Sequence, residues 1–173
     1  MLTNDYRFVN EWTFEAPVER VFELIRRPLD YPRWWPQVFL AAKQITPGDA
    51  EGVGEVLEVR TRLWRPDVQC STATTLEVVA PIRMSFEIAG DFGGLGIWTL
   101  WQHGPDTLVR FNWRFYANRT FLRWFWWILR PVLAAHHHRA MARGEESLRR
   151  ELQGGQNQTS KKTGPLRTAR ISN

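Results

Sequence analysis

The sequence predicts an α+β domain in which an antiparallel sheet is covered on one side by a long C-terminal helix. Three observations predict it. Apolar and polar residues alternate with a period of two in separate segments between residues 6 and 117, that period is lost after 119, and from 133 onward the apolar positions recur at three and four. At 173 residues with no internal repeat, a single core is expected.

Taken in order, "YRFVNEWTF" (6–14) sets Phe8, Trp12 and Phe14 on one face of an extended segment and Arg7, Glu11 and Thr13 on the other. In "EAPVERVFELIRR", Pro17 suits a first helical turn, Glu15 and Glu19 suit its N-terminus, and Val18, Val21, Phe22 and Ile25 follow helical spacing. The prolines of "PLDYPRWWPQV" forbid a long element there but allow a second helical turn or a tight loop. Strand patterns then recur over about 38–46, 54–64, 68–79, 82–91, 95–103 and 107–117, as in a meander. The clearest are "LVRFNWRFY", where Val109, Phe111, Trp113 and Phe115 oppose Arg110, Asn112 and Arg114, and "IRMSFEI", where Ile82, Met84, Phe86 and Ile88 oppose Arg83, Ser85 and Glu87. One dry and one wet face per strand describes an open sheet covered on one side. In "GIWTLWQH", Trp98 and Leu100 compete with Ile97 and Trp101 for the inner face. Gly93 and Gly94 read as turn residues. Leu133, His137, Met141, Gly144, Leu148 and Leu152 form the inward stripe of the last helix, where Gly144 implies a close approach to the sheet.

The composition is 43% hydrophobic and 24% charged, that of a globular protein, but ten Trp and ten Phe need a large apolar interior or a greasy ligand. Of the formal charge of +5, +4 lies in Lys161, Lys162, Arg167 and Arg170 of residues 154–173, leaving +1 for the body. A nearly neutral body with interspersed signs argues against a nucleic-acid partner. Residues 154–173 have almost nothing to bury and read as a disordered basic tail to a domain spanning 1–153. A single cysteine, Cys70, excludes an internal disulfide, and the start "MLTNDYRFVN" lacks the basic and apolar regions of a signal peptide, so a cytoplasmic protein is expected.

The run His136, His137, His138 does not make a metal site, because neighbours on a helix point about 100° apart. No partner at metal-ligand spacing accompanies them, no nucleophile and base or phosphate-cradling loop stands out, and no cofactor is implied. Trp124, Trp126 and Trp127, flanked by Arg119, Arg123 and Arg130, have the composition of a membrane-interface contact that the basic tail could assist. They cannot span a bilayer, since the apolar run is only about 15 residues and contains charges and Pro131. Pro131 divides this region into an aromatic lead-in, which is lid, core or membrane-facing edge, and the covering helix proper.

The ordered set "APVERVFELI", "DYPRWWPQV", "GVGEV", "GDFGGLGIWTL", "DTLVRFNW" and "HHHRAMARGEESLRREL" resembles the START-like (SRPBCC) superfamily, in particular bacterial proteins of the polyketide cyclase/dehydrase and lipid-transport-like type. The resemblance implies the Bet v 1-like helix-grip fold: a seven-stranded curved antiparallel sheet wrapped around the long C-terminal helix, with two short helices after the first strand and a hydrophobic cavity between sheet and helix. The candidate lining is Trp35, Leu57, Val59, Met84, Phe86, Trp98, Phe111, Trp113, His137 and Met141. Simple core packing is the competing reading for each residue singly. His137 stands where the family commonly has a histidine, in a pattern resembling Asn-His-x-x-Val-Met, with His136 here in place of the Asn and Ala140 in place of the Val.

Two functions from different classes follow. The chain binds or carries a hydrophobic small molecule, a lipid or an aromatic or polyketide-like compound; or it catalyses cyclisation or dehydration with His137 as acid or base and the rings as a mould. A peripheral membrane lipid-handling protein is a further alternative. An interaction module on the same fold would instead require an exposed apolar patch.

Overall fold

Alternating faces, tight turns and one long helical stripe assemble into a seven-stranded antiparallel sheet gripping the C-terminal helix. The computed structural model describes residues 6–62, 68–90, 92–117 and 126–162, with side chains described within 7–62, 68–90, 93–114 and 135–154. Strand β1 (Tyr6–Phe14) is followed by helix α1 (Val18–Ile25), a 3-10 turn at Pro28–Asp30 and helix α2 (Tyr31–Trp34). Strands β2 (Phe39–Thr46), β3 (Val56–Thr61), β4 (Gln69–Val79), β5 (Arg83–Gly90), β6 (Phe92–His103) and β7 (Asp106–Ala117) come next, then helix α3 (Trp126–Lys162). The sheet order is β1-β7-β6-β5-β4-β3-β2, so the first strand closes against the last and β2 ends the other edge.

Register fixes which residues face the helix. Tyr6 pairs with Phe115 and Phe8 with Trp113 across β1 and β7, while Trp98 pairs with Phe111 and Met84 with Trp98 across the next two ladders. The competition in β6 is thereby settled: Trp98 and Leu100 are buried, and Trp101 lies outside beneath the Arg110 guanidinium, 5.5 Å from its ring centre. Four expectations are corrected. Gly93 and Gly94 are not in a turn but inside β6, opposite Tyr116 and Phe115, because β5 ends at Gly90 (φ 149°) and β6 has already begun at Phe92. Ile82 does not join the apolar face of β5: it sits before the strand in a turn closed by Ile82 N–H to Val79 C=O, and is 48% exposed. Gly144 approaches not the sheet but the Trp35 ring, and a methyl there would fall 2.6 Å from Trp35 Cε2. Helix α3 starts at Trp126, ahead of Pro131, and continues past 153 to Lys162.

Helix α1 buries Val18, Val21, Phe22 and Ile25, the stripe set by its spacing. Its N-terminal cap is supplied by the sheet rather than by a neighbour: Gln102 Oε1 accepts from Val18 N–H at 2.8 Å, while Gln102 Nε2 donates to the carbonyls of Gly104 and Asp106. The far end of α3 is clamped by Arg33 to Glu151 at 2.8 Å and by Arg149 to the Thr13 carbonyl at 3.1 Å.

Candidate functional site

A cavity of about 190 Å³ lies between the sheet, α2 and the middle of α3. Its existence follows from curvature: one helix stripe cannot fill the concave face of seven strands, so a gap is left where the facing side chains are short or flat. Helix α3 contributes His137, Ala140 and Met141; the α2 region contributes Tyr31, Trp35, Val38 and Phe39. The aromatic wall is Phe86, Phe111 and Trp113, with ring planes inclined by 14° to 32° to one another. Gly96 makes this wall possible, because a methyl at that position would lie 2.7 Å from Phe86 Cε2. The opposite wall, from β3 and β4, pairs Leu57, Val59 and Ala73 with the polar side chains of Thr61, Gln69, Ser71 and Thr75.

Of the ten residues singled out in the sequence, nine border this cavity: Trp35, Leu57, Val59, Met84, Phe86, Phe111, Trp113, His137 and Met141. Trp98 does not. It is 3% exposed and sits behind the wall, its ring 4.1 Å from Phe111 and 5.2 Å from Trp12, so Phe111 screens it from the space. Sequence reasoning missed the four polar side chains of β3 and β4, and it missed Asn10. In β4, "QCSTATTLEVV" is polar on both faces, so alternation could not say which residues turn inward. Asn10 shares the parity of Phe8 and Trp12, which was a usable signal.

His137 is held from two sides. Phe8 stacks on its ring at 4.3 Å and 23°, and Nε2 lies 2.8 Å from Asn10 Oδ1. An amide oxygen only accepts, so Nε2 carries the proton and Nδ1 keeps its lone pair. Burial, with the neighbouring His138 second, lowers its pKa from 6.5 to about 4, which makes the ring neutral at pH 7. His136 and His138 are exposed, and the rings of His137 and His138 stand 6.3 Å apart at 69°. Among the described residues, no group of three or more His, Cys, Asp or Glu gathers as a metal site would require.

Two other polar groups of the lining, on Tyr31 and Trp35, are engaged by the protein. The Tyr31 hydroxyl donates to the Ile25 carbonyl at 2.5 Å, and burial raises its pKa. Trp35 Nε1 donates to the Ala140 carbonyl at 3.2 Å, so this ring is pinned to α3 by a hydrogen bond and by the flat surface that Gly144 leaves. Beside the cavity a wider cleft of about 580 Å³ opens between the end of α1 and the loop joining β2 to β3, and the two share Pro28, Thr75 and Met84. Arg26 bridges this cleft, from Glu23 on one bank to the Glu51 carbonyl on the other.

Residues 6–153 match the family described as polyketide cyclase / dehydrase and lipid transport. The chain belongs to that family. No curated protein matches it. Among solved structures, this family member superposes on TTHA0849 from Thermus thermophilus with a TM-score of 0.73 at 15% identity, covering 87% of this chain and 99% of that one. It is also similar to the Zhui aromatase/cyclase from Streptomyces sp. R1128 (TM-score 0.71, 13% identity, 87% and 94% covered). A START superfamily protein from Mycobacterium smegmatis matches at a TM-score of 0.70 and 10% identity, with 86% and 97% covered. At these identities the likeness is one of fold, the helix grip. No helix among the described residues is long and apolar enough to cross a membrane. Trp124 lies outside the described residues, as do the side chains of Trp126 and Trp127, the basic residues 163–173 and the side chains of Lys161 and Lys162.

Proposed function

We propose that this protein binds a compact hydrophobic small molecule in the cavity between the sheet and α3. The observation that carries the reading is a largely apolar space of about 190 Å³ walled by near-parallel rings, with Thr61, Gln69, Ser71 and Thr75 on the side of β3 and β4 and His137 on the helix side. Membership of a family that includes lipid-transport proteins supports it. Volume narrows the class: a cavity of roughly 150 Å³ accommodates benzene, so this one suits one or two rings rather than a multi-ring chain or a diacyl lipid. Saturation-transfer NMR with 2-methylnaphthalene tests it. The wild-type protein should transfer magnetisation to the probe, and Ala73→Phe, which fills the floor, should abolish the transfer while keeping the folded spectrum. Transfer that survives Ala73→Phe would refute the cavity as the site.

A second reading, cyclisation or dehydration of a bound ketone, is favoured by one specific feature. His137 borders the cavity as a neutral imidazole whose Nδ1 lone pair is not used by Asn10, which is the protonation state a general base needs. Under this reading His137→Ala loses turnover and keeps affinity; under simple binding it costs only a modest part of the affinity.

A further inference from the structure

We propose that Gln69 is the polar anchor of this cavity and that the ligand is a neutral ring compound carrying a hydroxyl at one end; this rests on the cavity-binding reading above. Gln69 opens β4 and pairs with Thr61, and Ser71 follows it on the same inward face. The residue is 5% exposed and borders the cavity, yet Oε1 has no hydrogen-bond partner among the described residues. A buried amide in this position is expensive to leave unpaired. The indole N–H groups of Trp34 and Trp98 also lack partners among the described residues, but neither ring borders the cavity. Tyr31 and Trp35 each spend their polar hydrogen on the protein, and His137 spends Nε2 on Asn10 while Nδ1 keeps a lone pair that only a donor could meet. Among the described residues, Gln69 is therefore the lining residue with a fully buried oxygen left without a partner, a capacity that points at an occupant.

The chemistry of that occupant follows from the surroundings. Among the described residues the lining contains no Lys or Arg, so a carboxylate or phosphate would meet no counter-charge from them. A hydroxyl donates and accepts at once, so it meets the Gln69 carboxamide in either orientation and can also reach the Ser71 or Thr61 hydroxyl beside it. The near-parallel rings of Phe86, Phe111 and Trp113 favour a flat body at the other end.

The test compares 2-naphthol with 2-methylnaphthalene, which match in shape and differ in the hydrogen-bonding group, by calorimetric or NMR titration. Wild-type protein should prefer 2-naphthol by roughly tenfold, the size of one well-made hydrogen bond. Gln69→Leu and the more nearly isosteric Gln69→Met should bring the ratio within about twofold while holding 2-methylnaphthalene as well as before. Equal affinities in the wild type, or a preference that survives in whichever variant folds, would overturn the anchor and leave the cavity reading standing. If neither compound binds the wild type, the cavity reading itself falls and the anchor with it.

Discussion

Lowering the pH should destabilise this domain through His137, and the structure gives both sign and size. The folded-state pKa is about 4 against an ordinary 6.5. Between those values the unfolded chain binds a proton that the folded chain refuses, so stability is full above about 6.5 and falls as the pH drops toward 4. The slope approaches 1.36 kcal/mol per pH unit, which over this window sets a ceiling of about 3 kcal/mol; the ring's partial contact with solvent brings the expected loss to about 2 kcal/mol. Other groups titrate in the same range, so the comparison must isolate His137. His137→Gln retains an amide that can donate to Asn10 and cannot titrate. Urea unfolding of both proteins, followed by tryptophan fluorescence at about pH 7 and about pH 4.5, gives the difference directly. The wild type should lose about 2 kcal/mol more than the variant. Equal losses would refute the reasoning, and a smaller loss in the wild type would reverse the inferred burial of a neutral ring.

Gly144→Ala should destabilise the domain by about 1–2 kcal/mol in denaturant unfolding, although Ala is the better helix former by about 1 kcal/mol. Its methyl would displace Trp35 and stretch the bond to the Ala140 carbonyl. Gly96→Ala should push Phe86 into the cavity and weaken 2-methylnaphthalene binding by about tenfold in NMR titration. Gln102→Leu should cost about 1–2 kcal/mol of unfolding free energy, because Val18 N–H then loses its acceptor at the start of α1. Arg33→Ala should cost less than about 1 kcal/mol, since the ion pair with Glu151 is solvent-screened.

Strand faces were legible where one parity was polar and the other apolar, as in Val109, Phe111 and Trp113 against Arg110 and Asn112. They were not legible where both parities were apolar or both polar. Trp98 and Trp101 differ in fate only because β5 and β7 place Met84 and Phe111 beside the first, a fact of register rather than of local pattern. The same limit hid Thr61, Gln69, Ser71 and Thr75. The glycine in α3 correctly announced a close neighbour, but not which one: Trp35 comes from a proline-rich segment of four helical residues whose path no periodicity describes. His137 was placed inward by helical spacing, whereas its partner Asn10 lies 127 residues away and could be found only by folding the chain. Pairing across such distances is a tertiary property, and propensity carries no record of it.

The cleft bridged by Arg26 bears on rates rather than affinity. Its rim holds Glu23, Asp30, Asp49, Glu51 and Glu55 against Arg26 and Arg27, leaving three uncompensated negative charges beside the cavity. Such a field slows the arrival of anions and leaves neutral molecules untouched, and it fades as the screening length shrinks to about 10 Å at 0.1 M salt. For a ligand that reached the proposed site past this cleft, selection by charge would begin at the encounter, before contact with an aromatic wall, and added salt would relax it for anions alone.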